Sequence, residues 1–138
     1  MNDSRCSFAI LSALSTVLLL GAGCKQESVS PMNHNPTITS IVAFPDRVHS
    51  LDSLTVVCSA YDLDGDSLRY DWFCTSGATI KGTVVPPYWE LYNTKENFAI
   101  FYAPDSTNTL QDSIRIDVDV RDLKGGGKSG HTFVSLSR

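Results

Sequence analysis

Asp62, Asp64 and Asp66 crowd three carboxylates into five residues at the centre of the run CSAYDLDGDSLRYDWFC, residues 58–74. Carboxylates at that spacing repel one another unless water or a hard cation stands between them, and Ca²⁺ gathers about six to eight oxygen ligands. The loop is not an EF-hand. Gly65 occupies the fourth place where an EF-hand needs glycine at the sixth, and Phe73 stands where a bidentate Glu is required. With no cation the same residues make a solvated turn in which Asp64-Gly65 serves the backbone geometry. Cys58 and Cys74 frame the turn, and neither their spacing nor their apolar surroundings suit a redox pair.

A second group of chemistry-bearing residues, Tyr88, Trp89 and Tyr92, lies in the segment VVPPYWELY. Aromatic rings on a loop stack on sugars or anchor a partner protein; alternatively the loop closes over an open edge and Trp89 belongs to the core. Catalysis finds little to work with. His34, His49 and His131 are scattered without metal-ligand spacing, and no nucleophile or metalloprotease motif is present. Gly125-Gly126-Gly127 leads into a strand, not into the helix N-terminus that phosphate binding uses. No enzyme is expected.

The elements that must position these groups are strands. No stretch carries a helical period; the apolar residues alternate instead. Ile38 to Phe44 is a first strand, ended by Pro45. Leu54, Val56, Cys58 and Ala60 make one face of a second, and Leu68, Tyr70, Trp72 and Cys74 one face of a third. Phe98, Ile100 and Tyr102 alternate in a later strand that stops at Ala103-Pro104. Ile114, Ile116, Val118 and Val120 alternate with Arg115, Asp117, Asp119 and Arg121, which places those acids on an ordinary solvated face. Thr132, Val134 and Leu136 follow the glycine-rich turn Lys124 to Gly130. Thr79 to Val85 reads as one or two edge strands, interrupted by Pro86-Pro87. About seven short strands with polar turns predict an all-β, antiparallel sandwich over residues 36–138. Cys58 and Cys74 both fall on inward faces. If their strands lie in opposite sheets, the sulfurs meet across the core, and a disulfide closing a loop of about 15 residues would stabilise by roughly 3 kcal/mol.

The chain has 138 residues and a formal net charge of −4, with acids and bases interspersed, so there is no basic footprint for nucleic acid. Phe8 to Leu20 is a nearly unbroken apolar run of about 13 residues, short of the roughly 20 that span a bilayer. With Arg5 before it and Gly21-Ala22-Gly23-Cys24 after it, residues 1–23 read as a secretory signal peptide. The small residues ending in cysteine resemble a bacterial lipoprotein signal, which implies that Cys24 is lipidated and becomes the mature N-terminus. Residues 24–35 are then the lipidated cysteine and a polar tether. Cys6 would leave with the signal, and in an exported protein the remaining pair, Cys58 and Cys74, is expected as a disulfide. Lys25 after the lipid cysteine resembles lipoproteins sent to the outer membrane.

The series NPTI, LTVVCSAYDLDGDSLRYDW, FYAP and IRIDVDVRDLKGG resembles PKD-like and related immunoglobulin-like modules of bacterial surface proteins, over nearly all of residues 35–138. The resemblance implies an immunoglobulin-like sandwich and an accessory, non-catalytic role. In such a sandwich the start of the first strand, the second-to-third loop and the penultimate-to-last loop share one pole. Asn35, the Asp62–Asp66 turn and Asp122 should therefore lie together, and some modules of this kind bind calcium there. The expectation is a lipid-anchored protein of the bacterial cell envelope with one binding or structural module. Calcium is its candidate cofactor, held by Asn35, Asp62, Asp64, Asp66 and Asp122. Its partners would be the membrane, through the lipid, and another envelope protein or a polysaccharide. Two alternatives stay open: a carbohydrate-binding module using Tyr88, Trp89 and Tyr92, and a small envelope enzyme or protease inhibitor exposing the Pro86-Pro87 loop.

Overall fold

The computed structural model describes residues 32–75, 77–82, 89–105 and 112–137, all within one compact unit, Pro31–Arg138. The signal peptide, Cys24, Tyr88 and Pro86-Pro87 lie outside the described residues. Nine strands form there: β1 (Thr37–Phe44), β2 (Arg47–His49), β3 (Ser53–Tyr61), β4 (Arg69–Cys74), β5 (Thr79–Ile80), β6 (Glu90–Thr94), β7 (Phe98–Tyr102), β8 (Ser113–Arg121) and β9 (Gly127–Ser137). They make two sheets, β1-β3-β7-β5 and β2-β9-β8-β4-β6. The pairings are antiparallel except that of β2 with β9. The protein is an all-β sandwich.

Alternation sets which residues enter the core, because successive side chains point to opposite faces of a strand. Leu54, Val56 and Cys58 of β3 are buried, as are Ile114, Ile116, Val118 and Val120 of β8. Trp72 at the centre is fully buried, stacked on Tyr70 at 6.3 Å and meeting Phe101 edge-on at 6.1 Å. Each such ring contact adds about 0.5–1.5 kcal/mol beyond the burial of apolar area. The Trp72 indole N–H has no hydrogen-bond partner, so its place depends on packing alone. Gly130 of β9 carries no side chain where β1 crosses over; a Cβ there would run into the side-chain tips of Ile41 and Ile38.

Three sequence expectations change. The Phe98, Ile100 and Tyr102 face of β7 is the outer one, and Ala99 and Phe101 enter the core. Both faces of that strand carry large apolar side chains, so periodicity could not choose between them. Strand β1 does end at Phe44, before Pro45, and the chain then crosses to the other sheet as β2, parallel to the last residues of β9. Strand β6 was hidden in the aromatic segment and pairs with β4 through Trp72 opposite Leu91.

The third change concerns the cysteines. Cys58 and Cys74 do lie in opposite sheets and both are buried, yet they are two free thiols, not a disulfide. Strand β7 measures the gap. The Cys58 N–H donates to the carbonyl of Asn97, just before β7 begins. The Cys74 thiol donates to the carbonyl of Ala78 at 3.3 Å, and the next residue, Thr79, lies opposite Tyr102 at the end of β7. Five residues of strand separate these levels, roughly 17 Å, whereas a disulfide needs Cα atoms within about 7 Å. Burial pushes the Cys58 thiol up to about 11 and the Cys74 thiol up to about 12.

Candidate functional site

Three segments far apart in sequence converge at one pole: residues 33–35 before β1, the turn 62–66 between β3 and β4, and the loop 122–126 between β8 and β9. Antiparallel pairing of β1 with β3 brings Thr37 opposite Tyr61, which delivers the first segment to the Asp turn. Pairing of Arg69 with Arg121 delivers the third.

The Asp turn organises itself around Asp62. Its Oδ1 accepts the N–H of Asp64 at 2.8 Å and that of Asp66 at 3.2 Å, while its carbonyl accepts the N–H of Gly65 at 3.3 Å. Gly65 sits at a φ of 74°, a left-handed conformation that glycine adopts without strain. One oxygen from each of Asp62, Asp64 and Asp66 falls within 4.8 Å of the others. Oδ2 of Asp62 and Oδ2 of Asp66 are buried without a hydrogen-bond partner. Such hard oxygens, close together and unsatisfied, fit a divalent cation of the calcium type. Asp66 already holds one positive charge, the Lys124 ammonium at 2.6 Å, and this contact raises the Lys124 pKa.

Asp122 is built differently. It is buried, and its Oδ1 accepts the N–H groups of Lys124 at 2.8 Å and Gly126 at 2.9 Å. Its Oδ2 accepts the Asn33 side-chain amide at 2.7 Å. Burial pushes this carboxyl up, but the Asn33 amide and the N–H groups of Lys124, Gly126 and Gly125 outweigh it and hold the pKa below the ordinary value. A Cβ on Gly126 would overlap Asp122 Oδ2 and approach Asn35 Oδ1, so the loop closes only around glycine. Asn35 Oδ1 in turn accepts the N–H of Gly127 at 3.4 Å.

The predicted Asn35, Asp-turn and Asp122 residues thus share a pole but form two sets of contacts. Asp62, Asp64 and Asp66 make the cation-competent cluster; Asp122 and Asn35 tie down the β8–β9 loop with both Asp122 oxygens engaged. The bridge between the sets went unforeseen. His34 donates its N–H to Asp64 Oδ2 at 2.7 Å, and its Nδ1 lies 2.9 Å from Asp64 Oδ1. The His34 N–H first, and then its ring, hold the Asp64 carboxyl below its usual pKa. Asn33, His34 and Lys124 are the residues that sequence reasoning missed. Their signal was adjacency: each lies within two residues of a predicted site residue.

The aromatic candidates part company. Trp89 is half exposed at the turn before β6, so it is not a core residue. Tyr92 is exposed, meets Phe73 edge-on at 5.5 Å and donates its hydroxyl to Glu90 at 2.7 Å. Close by, buried Asp71 holds Arg121 at 2.6 Å and the N–H of Asn93 at 2.7 Å, joining β4, β6 and β8 on the outer face of their sheet.

No protein-family model matches this chain, and no curated protein matches it. Among solved structures it is similar to a nucleoside hydrolase-related hypothetical protein from Saccharophagus degradans that is associated with carbohydrate metabolism. That likeness has 19% identity and a TM-score of 0.49, and covers 76% of this chain and 26% of the other. The chain therefore spans about a quarter of that protein's length. It is also similar to a conjugative transposon lipoprotein from Bacteroides eggerthii, at 12% identity and a TM-score of 0.45, over 72% of this chain and 94% of the other.

Proposed function

We propose that this chain is a lipid-anchored protein of the bacterial cell envelope whose PKD-like sandwich is a non-catalytic binding or structural module. Its pole beside the N-terminal segment is a clasp, and a calcium ion at Asp62, Asp64 and Asp66 would tighten it. One observation carries the clasp: the segment 33–35 is hydrogen-bonded into both acidic loops, through Asn33 to Asp122 and through His34 to Asp64. A pull on the N-terminal chain meets these contacts before it reaches β1. The cation would supply only charge, offsetting the repulsion among three carboxylates that Lys124 offsets in part.

Thermal melts of the full mature protein in calcium and in EDTA test the cation. Calcium should raise the midpoint of the wild type and leave Asp64→Ala unmoved; identical wild-type melts would remove the cation from the reading. Mass spectrometry of the mature protein tests the anchor, which requires an acylated Cys24 at the N-terminus. Exposed Trp89 and Tyr92 support a second reading, a polysaccharide-binding edge. That reading requires binding of some polysaccharide, lost in Tyr92→Ala.

A further inference from the structure

Two acids of the clasp, Asp66 and Asp122, are turned inward while apolar side chains of the same loops face outward beside the more exposed Asp64 and Lys124. The Asp66 side chain is 12% exposed and Asp122 2%, whereas Leu63 is 68% exposed, Leu123 59% and Met32 80%. Each of the three apolar residues is the sequence neighbour of a group held in the network: Leu63 of Asp62 and Asp64, Leu123 of Asp122 and Lys124, Met32 of Asn33. Single exposed leucines are ordinary, but several on the tips of neighbouring loops, rimmed by polar groups, mark an interaction surface.

Chain length says what meets that surface. The segment 33–35 is fixed to this pole, so eight peptide steps separate Cys24 from Met32, a reach of at most about 28 Å in any conformation. A lipid on Cys24 therefore keeps this pole within one short tether of the headgroups. The opposite pole lies the length of a nine-residue strand such as β8 from this one, roughly 30 Å. We propose that the pole docks on the bilayer that holds the anchor, with Leu63, Leu123 and Met32 seated in its headgroup region. This rests on the reading of Cys24 as lipidated. Sheltering of the acids by Lys124, His34 and Asn33 lets the tips approach a zwitterionic lipid surface without presenting bare carboxylates to it.

Fluorescence quenching tests the orientation. Leu63→Trp, Leu123→Trp and Met32→Trp are made in the full chain, processed in cells, and reconstituted in phosphatidylcholine vesicles brominated in the acyl chains. Leu51→Trp, exposed in the turn before β3 at the opposite pole, is the control. The expected result is loss of most of the added emission for the three pole variants and none for Leu51→Trp. Pole variants quenched no more than Leu51→Trp, in protein that floats with the vesicles, would overturn the proposal and leave these tips to water or a protein partner. Failure of the wild type to float with vesicles would instead remove the lipid anchor, and the docking with it.

Discussion

The pole and the core of this sandwich are held together by opposite means. Around Trp72 the contacts are apolar and nondirectional: among the described residues, seventeen buried apolar ones, two of them thiols, and one indole N–H with no partner. At the pole nearly every named contact is a directed hydrogen bond or ion pair, and the apolar side chains there face outward. Packing makes the core insensitive to acid and to cations until it breaks as a unit. Charge makes the pole adjustable by protons and cations while the core stands.

The largest test of this contrast removes the centre of the core. Trp72→Ala should cost about 3–5 kcal/mol in a denaturant titration, because it empties a large cavity among residues that cannot close it. A loss that small pole substitutions equal would break the contrast. Gly126→Ala comes next. Its methyl group must displace the Asp122 carboxylate, so the melting midpoint should fall and any calcium response should weaken, while near-ultraviolet circular dichroism of the core is retained. Asp122→Asn should do less, since an amide keeps one acceptor for the loop N–H groups.

Titration should separate the two regions by sign. The raised thiols of Cys58 and Cys74 contribute stability that is full below about pH 9, their ordinary pKa, and is lost as pH rises through about 11. The depressed carboxyls of Asp64 and Asp122 contribute stability that is full above their ordinary value of 3.8 and is lost as pH falls through their lower folded values. Cys58→Ala should therefore flatten the alkaline limb of a stability profile and leave the acid limb in place. A thiol reagent should find Cys58 and Cys74 only after unfolding, and a pair that stays unreactive in denaturant would contradict the free thiols. Lys124→Met is the smallest change. Its partner Asp66 is largely buried although the ammonium is exposed, so the midpoint should fall modestly, while the response to calcium should grow if the ammonium competes for Asp66.

Much of the fold was legible where one side of a strand is plainly apolar, as in β3, β4 and β8. It was illegible where both sides are, as in β7, or where the strand is too short for a period, as in β2, whereas β5, also short, lies at a sheet edge within the Thr79 to Val85 segment read as edge strand. The cysteines failed for a related reason. Alternation says that two side chains point inward; it carries no information on their height along the stack, and height decides whether sulfurs meet. In the site, Asp62, Asp64 and Asp66 were named from type and spacing, and Asn35 and Asp122 from what the resemblance to PKD-like modules implies. Asn33, His34 and Lys124 were not, because amides, imidazoles and ammonium groups are common in solvated segments and only proximity selects them.

By itself, the sequence determined the all-β class of the protein: alternating apolar residues satisfy their backbone and bury one face as sheets, stacked on each other or closed on themselves. It also determined that acids would gather at a turn, since those residues are adjacent in the chain. Tertiary structure alone decided that Cys58 and Cys74 stay apart, that Asp122 binds a loop instead of joining the Asp turn, and that leucines cap an acidic pole. Those outcomes depend on register and on which loops meet, and both are set by contacts between segments that local sequence does not connect.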